Sequence, residues 1–207
     1  LPPHDKEIIS RVMAVDEIRT VDFNQALAEG RVKIVTDEID AAFAKEVLQY
    51  AWEGPRTAKI IFSPLPGVGA FATIPILMQA GFADVQVYEP HAEPSGDFPN
   101  VPGHVSNPEN SQIFDAIIQH ARQIGADGII ATDPDCDRIG CAVPLTTAPD
   151  SHWKTLTGNQ IAALLTDYVC GQKQRLGQLS DRSYVVTTLV TTALVRRVAK
   201  GYGVSCH

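Results

Sequence analysis

Three aspartates, Asp133, Asp135 and Asp137, stand at alternate positions at the end of the stretch Gly-Ile-Ile-Ala-Thr-Asp-Pro-Asp-Cys-Asp, which runs from Gly128 to Asp137. Carboxylates so close together repel one another, and their concentration after an apolar run calls for a positive charge between them. A hard divalent cation meets that need. Mg²⁺ and Ca²⁺ take oxygen ligands, whereas zinc favours His and Cys. Asp133, Asp135 and Asp137 are therefore the candidate metal ligands. Arg138 follows at once, and its planar guanidinium could neutralise part of the loop or reach toward a phosphate, whose oxygens match its paired N–H donors. A calcium hand fits poorly, because its sixth loop position requires Gly and its twelfth Glu, and these are Arg138 and Pro144 here. An acidic hairpin turn with no ligand remains the plain alternative.

A second stretch carries a rival chemistry. Gly67-Val68-Gly69-Ala70-Phe71-Ala72 matches Gly-x-Gly-x-x-Ala after an apolar run, and Glu89 ends the next such run about twenty residues on, as in a dinucleotide-binding fingerprint. Pro64 and Pro66 crowd that turn, and the same glycines would also serve a tight turn that lets a helix pack on a strand. The Asp-x-Asp-x-Thr pattern of haloacid-dehalogenase phosphatases is not met, because Asp137 stands where Thr is needed. His91, His104, His120 and His152 are not paired at ligand spacing, which points to surface or core roles. Cys136, Cys141, Cys170 and Cys206 match neither a zinc ribbon nor a redox pair, so reduced thiols in a cytoplasmic protein are expected. Cys136 lies inside the acidic loop.

The elements that must position these residues follow from periodicity. Helices are predicted over 6–15, with Ile8, Val12 and Val15 on one face, and over 37–51, with Ile39, Phe43 and Val47 in line and Thr36 or Asp37 as cap. A buried strand over 59–65 leads through the glycine turn into a helical stretch ending near Gly81. Pro75 should kink that helix or mark its first turn. A strand over 85–88 precedes a proline-rich loop over 91–109, too stiff for regular structure. Asn107-Pro108-Glu109 should cap a helix lined by Ile113, Ile117, Ala121 and Ile124 and stopped by Gly125. Strands over 127–132 and 139–145 are joined by too short a connection for a crossover, so they are antiparallel neighbours. The expected fold class is α/β, three-layer α/β/α, with a mixed four-stranded sheet whose last strand is antiparallel. Ligands of such sheets bind at the carboxyl ends of the strands, where the acidic loop lies.

Beyond this sheet, Thr157-Gly158-Asn159-Gln160 reads as a capping box, residues 171–182 as a linker, and 184–189 and 192–200 as a further strand and helix. The resulting division is a helical lead-in with the first part of the metal-binding domain over 1–55, an α/β metal-binding domain over 56–180, and the start of another domain over 181–207. The expectation is of a domain fragment. The 207 residues are 44% hydrophobic and 20% charged with a net charge of −7, which suits a folded protein and argues against nucleic acid or anionic membrane as partner. No apolar run approaches the roughly 20 residues of a membrane span.

These motifs together resemble the α-D-phosphohexomutases, the phosphoglucomutase and phosphomannomutase family, specifically their second domain with the start of the third. Asp133-Pro134-Asp135-Cys136-Asp137-Arg138 is similar to that family's metal loop, and Gly67-Val68-Gly69, Glu89-Pro90, Asp97-Phe98-Pro99, Asn107-Pro108-Glu109 and Thr157-Gly158-Asn159-Gln160 occur in the matching order. The wording leans toward the phosphoglucomutase and phosphopentomutase-like branch. The resemblance implies an isomerase of carbohydrate metabolism that moves a phosphoryl group between C1 and C6 of a sugar phosphate through a phosphoserine. It implies Mg²⁺ held by Asp133, Asp135 and Asp137, Arg138 as the catalytic residue facing phosphate or sugar, and the other domains of a parent chain as partners. The family's Thr-Ala-Ser-His-Asn-Pro nucleophile loop and Gly-Glu-x-Ser-Gly-His sugar loop do not occur in these residues, and Cys136 replaces the usual Ala or Gly. An inactive piece when isolated is the expectation. A dinucleotide-binding domain using Gly67, Gly69 and Glu89 stays as the alternative.

Overall fold

The computed structural model describes residues 2–35 and 37–207, so Thr36, one of the two expected caps, lies outside the described residues. The chain divides into two units, Leu1–Ala42 and Phe43–His207. The first unit holds α1 (His4–Met13), α2 (Phe23–Ala28) and the beginning of α3 (Asp37–Leu48). Acidic Asp5 and Glu7 in the first turn of α1 and Arg11 in its last suit the helix dipole. The expected inner face, Ile8 and Val12, is exposed instead, and Ile39 of α3 is exposed too. Helical periodicity reports an amphipathic helix without reporting what covers it. The six residues of α2 are too short to show a period, and Asp22 caps them by accepting from Gln25 N–H at 2.8 Å.

The second unit is built on a five-stranded sheet in the order β2-β1-β3-β4-β5, from β1 (Ile60–Ser63), β2 (Val85–Val87), β3 (Gly128–Thr132), β4 (Ile139–Pro144) and β5 (Trp153–Leu156). The α/β class and the mixed sheet match expectation. A fifth strand joins beyond β4, and only four residues long, it carries too little alternation to be read from sequence. β1 pairs in parallel with β2 and β3, while β4 runs antiparallel to both its neighbours. Helix α4 (Gly69–Gln79) connects β1 to β2, and α5 (Phe114–Ile124) carries the chain back past β1 to β3. Right-handed crossovers running in opposite directions place these helices on opposite faces, which makes three layers. Phe114, Ile117 and Ala121 of α5 accordingly pack with Ile61, Ile129, Ala131 and Ala142 on one face, while Phe62 turns to the α4 face.

Several local expectations are corrected. Helix α4 begins at Gly69, so Pro75 does not stand in its first turn but in the helix interior, where it forgoes an N–H. Asn110, not Asn107, caps the lead into α5, by accepting from Gln112 N–H; Asn107 makes a separate turn with Glu109 N–H. A short 3₁₀ turn at Glu89–His91 leads into the proline-rich loop, and another lies within it at Pro102–His104. The capping box is present, with Gln160 N–H on Thr157 Oγ1 and Thr157 N–H on Gln160 Oε1, and it starts α6 (Gly158–Arg175). That helix runs into the expected linker, because nothing in Gly171 to Arg175 breaks a helix strongly enough to end it. The later strand shrinks to β6 (Tyr184–Val185), which pairs in parallel with β7 (Ser205–Cys206) across α7 (Ala193–Gly201).

Candidate metal centre

Strand β3 delivers the acidic loop. Of its last residues, Ala131 is paired with both β1 and β4 and Thr132 with β4, so Asp133 emerges at a fixed point at the carboxyl end of the parallel pair. The chain then turns through Pro134 and a left-handed Cys136 (φ 65°), with Cys136 N–H donating to Asp133 O at 3.1 Å, and re-enters the sheet at Ile139. A residue with a Cβ in that conformation costs about 1 to 2 kcal/mol, so glycine would be the easier choice there.

The structure brings the three sequence-predicted ligands together. One carboxylate oxygen from each of Asp133, Asp135 and Asp137 falls within 4.8 Å of the others. Asp133 is fully buried, whereas Asp135 and Asp137 are exposed. Arg138 closes the turn on Asp133, with its backbone N–H on Oδ1 at 2.9 Å and its Nε on Oδ2 at 2.6 Å, and Nε also lies 3.6 Å from Asp137 Oδ1. Among the described residues, the terminal guanidinium nitrogens make no hydrogen bond. They remain available as a fork for an anion.

The charges shift one another. Burial pushes the Asp133 carboxyl up, but hydrogen bonds from the Arg138 backbone and side chain and from Asp137, with the guanidinium charge, outweigh it and hold Asp133 below the usual carboxylate range. Asp137 moves the other way, raised by its hydrogen bond with Asp133 and by the charges of Asp135 and Asp133, with Arg138 opposing. The Asp133 contact raises Arg138 further. Three carboxylates against one guanidinium leave the loop negative. An all-oxygen donor set at these separations fits a hard cation with ligands about 2.0 to 2.6 Å away.

The glycine turn lies beside this loop. The space at Gly67 is filled by the Pro134 backbone and that at Gly69 by Thr132, Cys136 and Phe62, so the turn is occupied by the protein itself where a pyrophosphate would have to enter. That corrects the dinucleotide reading, since a Gly-x-Gly turn looks the same in sequence whichever neighbour approaches it. Sequence reasoning also missed a buried pair, Ser63 Oγ and His91 Nδ1 at 2.8 Å, whose partners lie too far apart in the chain to form a motif.

Comparison with known proteins bears on the whole arrangement. Residues 37–146 match the family description phosphoglucomutase/phosphomannomutase, alpha/beta/alpha domain II, and residues 157–207 match domain III. The chain belongs to the phosphoglucomutase/phosphomannomutase family. A phosphoglucomutase of Staphylococcus saprophyticus is 29% identical over 202 residues, covering 97% of this chain and 35% of that protein. A probable phosphomannomutase of Haemophilus influenzae is 27% identical over 97% of this chain and 39% of its own length. The chain thus spans little more than a third of these mutases. The crystal structure of a Burkholderia thailandensis member of the family superposes on 79% of the chain and 32% of its own, with a TM-score of 0.58 at 16% identity, which shows a shared fold.

Proposed function

We propose that this chain supplies the metal-binding loop of a Mg²⁺-dependent phosphohexomutase, an isomerase that moves a phosphoryl group between C1 and C6 of a sugar phosphate by way of a phosphoserine. The observation that carries the reading is the gathering of three carboxylates on a hairpin at the strand end, in a chain of this family. Asp133, Asp135 and Asp137 would hold the ion, which supplies positive charge beside a phosphoryl group in transit. Phosphoryl transfer rests mainly on such positioning and charge stabilisation. Asp133, buried and fixed by Arg138, orients the loop, while the exposed Asp135 and Asp137 complete the donor set. Arg138 keeps Nε on Asp133 and presents its terminal nitrogens to the phosphate or the sugar.

The remaining partners in this reading are the other domains of a parent chain and the sugar phosphate, in a cytoplasmic setting that the four free cysteines support. Among the described residues, no helix is long and apolar enough to cross a membrane. The chain alone would be inactive as a mutase, because its sequence holds neither the nucleophile loop nor the sugar loop. Calorimetric titration with Mg²⁺ tests the proposal. Weak binding is expected of a partial ligand set, in the roughly 10⁻⁴ to 10⁻³ M range of weak hard-cation sites such as extracellular calcium modules. Absence of binding at 10 mM, about ten times the weak limit, would overturn the metal assignment, and turnover of glucose 1-phosphate by the isolated chain would overturn the claim of inactivity.

A further inference from the structure

The glycine turn that does not receive a nucleotide still requires its glycines. Neither Gly67 nor Gly69 adopts a left-handed φ, so backbone freedom does not explain them. Space does. A Cβ on Gly67 would lie 2.2 Å from Pro134 Cα, 2.6 Å from its carbonyl oxygen and 2.7 Å from its carbonyl carbon, all backbone atoms of the acidic loop. A Cβ on Gly69 would lie 2.5 Å from Thr132 Oγ1, 3.2 Å from Cys136 Sγ and 3.3 Å from Phe62 Cζ. Between the two glycines, Val68 N–H donates to Pro134 O at 2.9 Å. The turn is itself braced from behind, by Gly67 N–H on Pro64 O and by Ser95 N–H on Pro66 O.

We infer that Gly67 and Gly69 are positioning residues for the acidic loop, seating the start of α4 directly against the backbone that carries Asp133, Asp135 and Asp137. This rests on the metal reading above and adds what fixes the loop. Pro134 lies between Asp133 and Asp135, so a turn pressed on Pro134 sets the spacing of the first two carboxylates. Cys136 lies between Asp135 and Asp137, so its contact beside Gly69 does the same for the second pair. The positive end of α4, 11 residues long, also faces this negative loop, which steadies the carboxylates by a further few tenths of a kcal/mol. A side chain at Gly67 would press on the loop backbone at Pro134, and one at Gly69 on Thr132, where β3 hands over to the loop, and on Cys136 within it, so either would shift the loop and spread its carboxylates.

The test compares wild type with Gly69→Ala, Gly69→Ala/Thr132→Ala and, as a control, Gly158→Ala, whose added Cβ meets nothing within 4 Å. Mn²⁺ affinity is read by electron paramagnetic resonance, and loop position by the iodoacetamide rate of Cys136, which is exposed, with peptide mapping to separate it from the other thiols. Gly69→Ala is expected to weaken Mn²⁺ binding about tenfold, the scale seen for residues that orient metal ligands, and to raise the Cys136 rate by a similar factor. Removing the Thr132 side chain should return most of both, and Gly158→Ala should move neither. A Gly69→Ala protein that melts earlier but keeps both values would overturn the inference and leave a mere packing glycine. A Cys136 rate that shifts in a protein that binds no Mn²⁺ would retain the positioning role and discard the metal reading. If Gly69→Ala does not fold, wild type carries the test by amide NMR: Mg²⁺ that shifts Asp135 is expected to shift Val68 as well, and an unmoved Val68 amide would overturn the link.

Discussion

Two polar clusters stand at the carboxyl ends of neighbouring parallel strands, and they are built on opposite terms. At the end of β1, Ser63 and His91 are buried in a short chain of hydrogen bonds whose members are all partnered. His91 Nε2 faces the Asn100 carbonyl at 3.1 Å, an oxygen that can only accept, so Nε2 carries the proton and Nδ1 accepts from Ser63 Oγ. Ser63 Oγ in turn accepts from Leu65 N–H at 3.3 Å. Each polar group in that chain has a partner. At the end of β3 the accounting leaves a remainder, with three carboxylates around a single guanidinium and two of them exposed. A closed network holds a turn in place, whereas an open one with surplus charge has capacity for a ligand.

Breaking the open cluster should give the larger effect on binding. Asp133→Asn removes the buried carboxylate charge while leaving an oxygen for the Arg138 backbone N–H, and Mn²⁺ affinity is expected to fall about 100-fold or more in a paramagnetic titration. An unchanged affinity would mean that the ligands lie elsewhere. Breaking the closed cluster should reverse the pattern. Ser63→Ala strands His91 Nδ1 and Leu65 N–H without partners, at a cost of about 2 kcal/mol in denaturant unfolding, with Mn²⁺ affinity within about twofold of wild type.

Acid separates the clusters as well. Burial lowers the His91 pKa, with the Asn100 hydrogen bond opposing, so the folded protein takes up this proton less readily than the unfolded chain. The stability contributed by neutral His91 is therefore complete above the unfolded value of about 6.5 and is lost as pH falls from there through the folded value. Melting temperature in wild type should decline across that window, and His91→Gln should flatten the slope. An equal slope in both proteins would show that His91 takes up its proton in the fold as readily as in the unfolded chain.

The same contrast explains what could be read from the sequence. The acidic loop was legible because its chemistry is local: three carboxylates within a few residues repel one another whatever surrounds them, and the antiparallel β3 and β4 follow from the shortness of their link. The Ser63–His91 pair was illegible because its partners are brought together only by the proline-rich loop folding back on β1. Gly67 and Gly69 fall between these cases. Their spacing announced a close approach of backbone, but the approaching group, Pro134, comes from the far end of another crossover, and a nucleotide fitted the pattern equally well. The exposed stripe on α1 shows the same limit, since periodicity specifies a face and not its covering.

The smallest expected effect lies where the two kinds of polar group meet in sequence. Thr132 and Asp133 are adjacent and both buried, yet Asp133 is held by Arg138 whereas Thr132 Oγ1 has no hydrogen-bond partner among the described residues. Alternation along β3 turns Thr132 to the α4 face, where its hydroxyl rests against Gly69 rather than against a donor or acceptor. Desolvating a hydroxyl without compensation costs about 1 to 3 kcal/mol, and a methyl in its place avoids that cost at the expense of slightly tighter packing. Thr132→Val is therefore expected to leave Mn²⁺ binding unchanged and to raise unfolding stability by about 0.5 to 1 kcal/mol, measured by denaturant titration. A loss of 1 kcal/mol or more, near the lower bound for a hydrogen bond removed, would mean that the hydroxyl has a partner and that this face of β3 belongs to a polar network of its own.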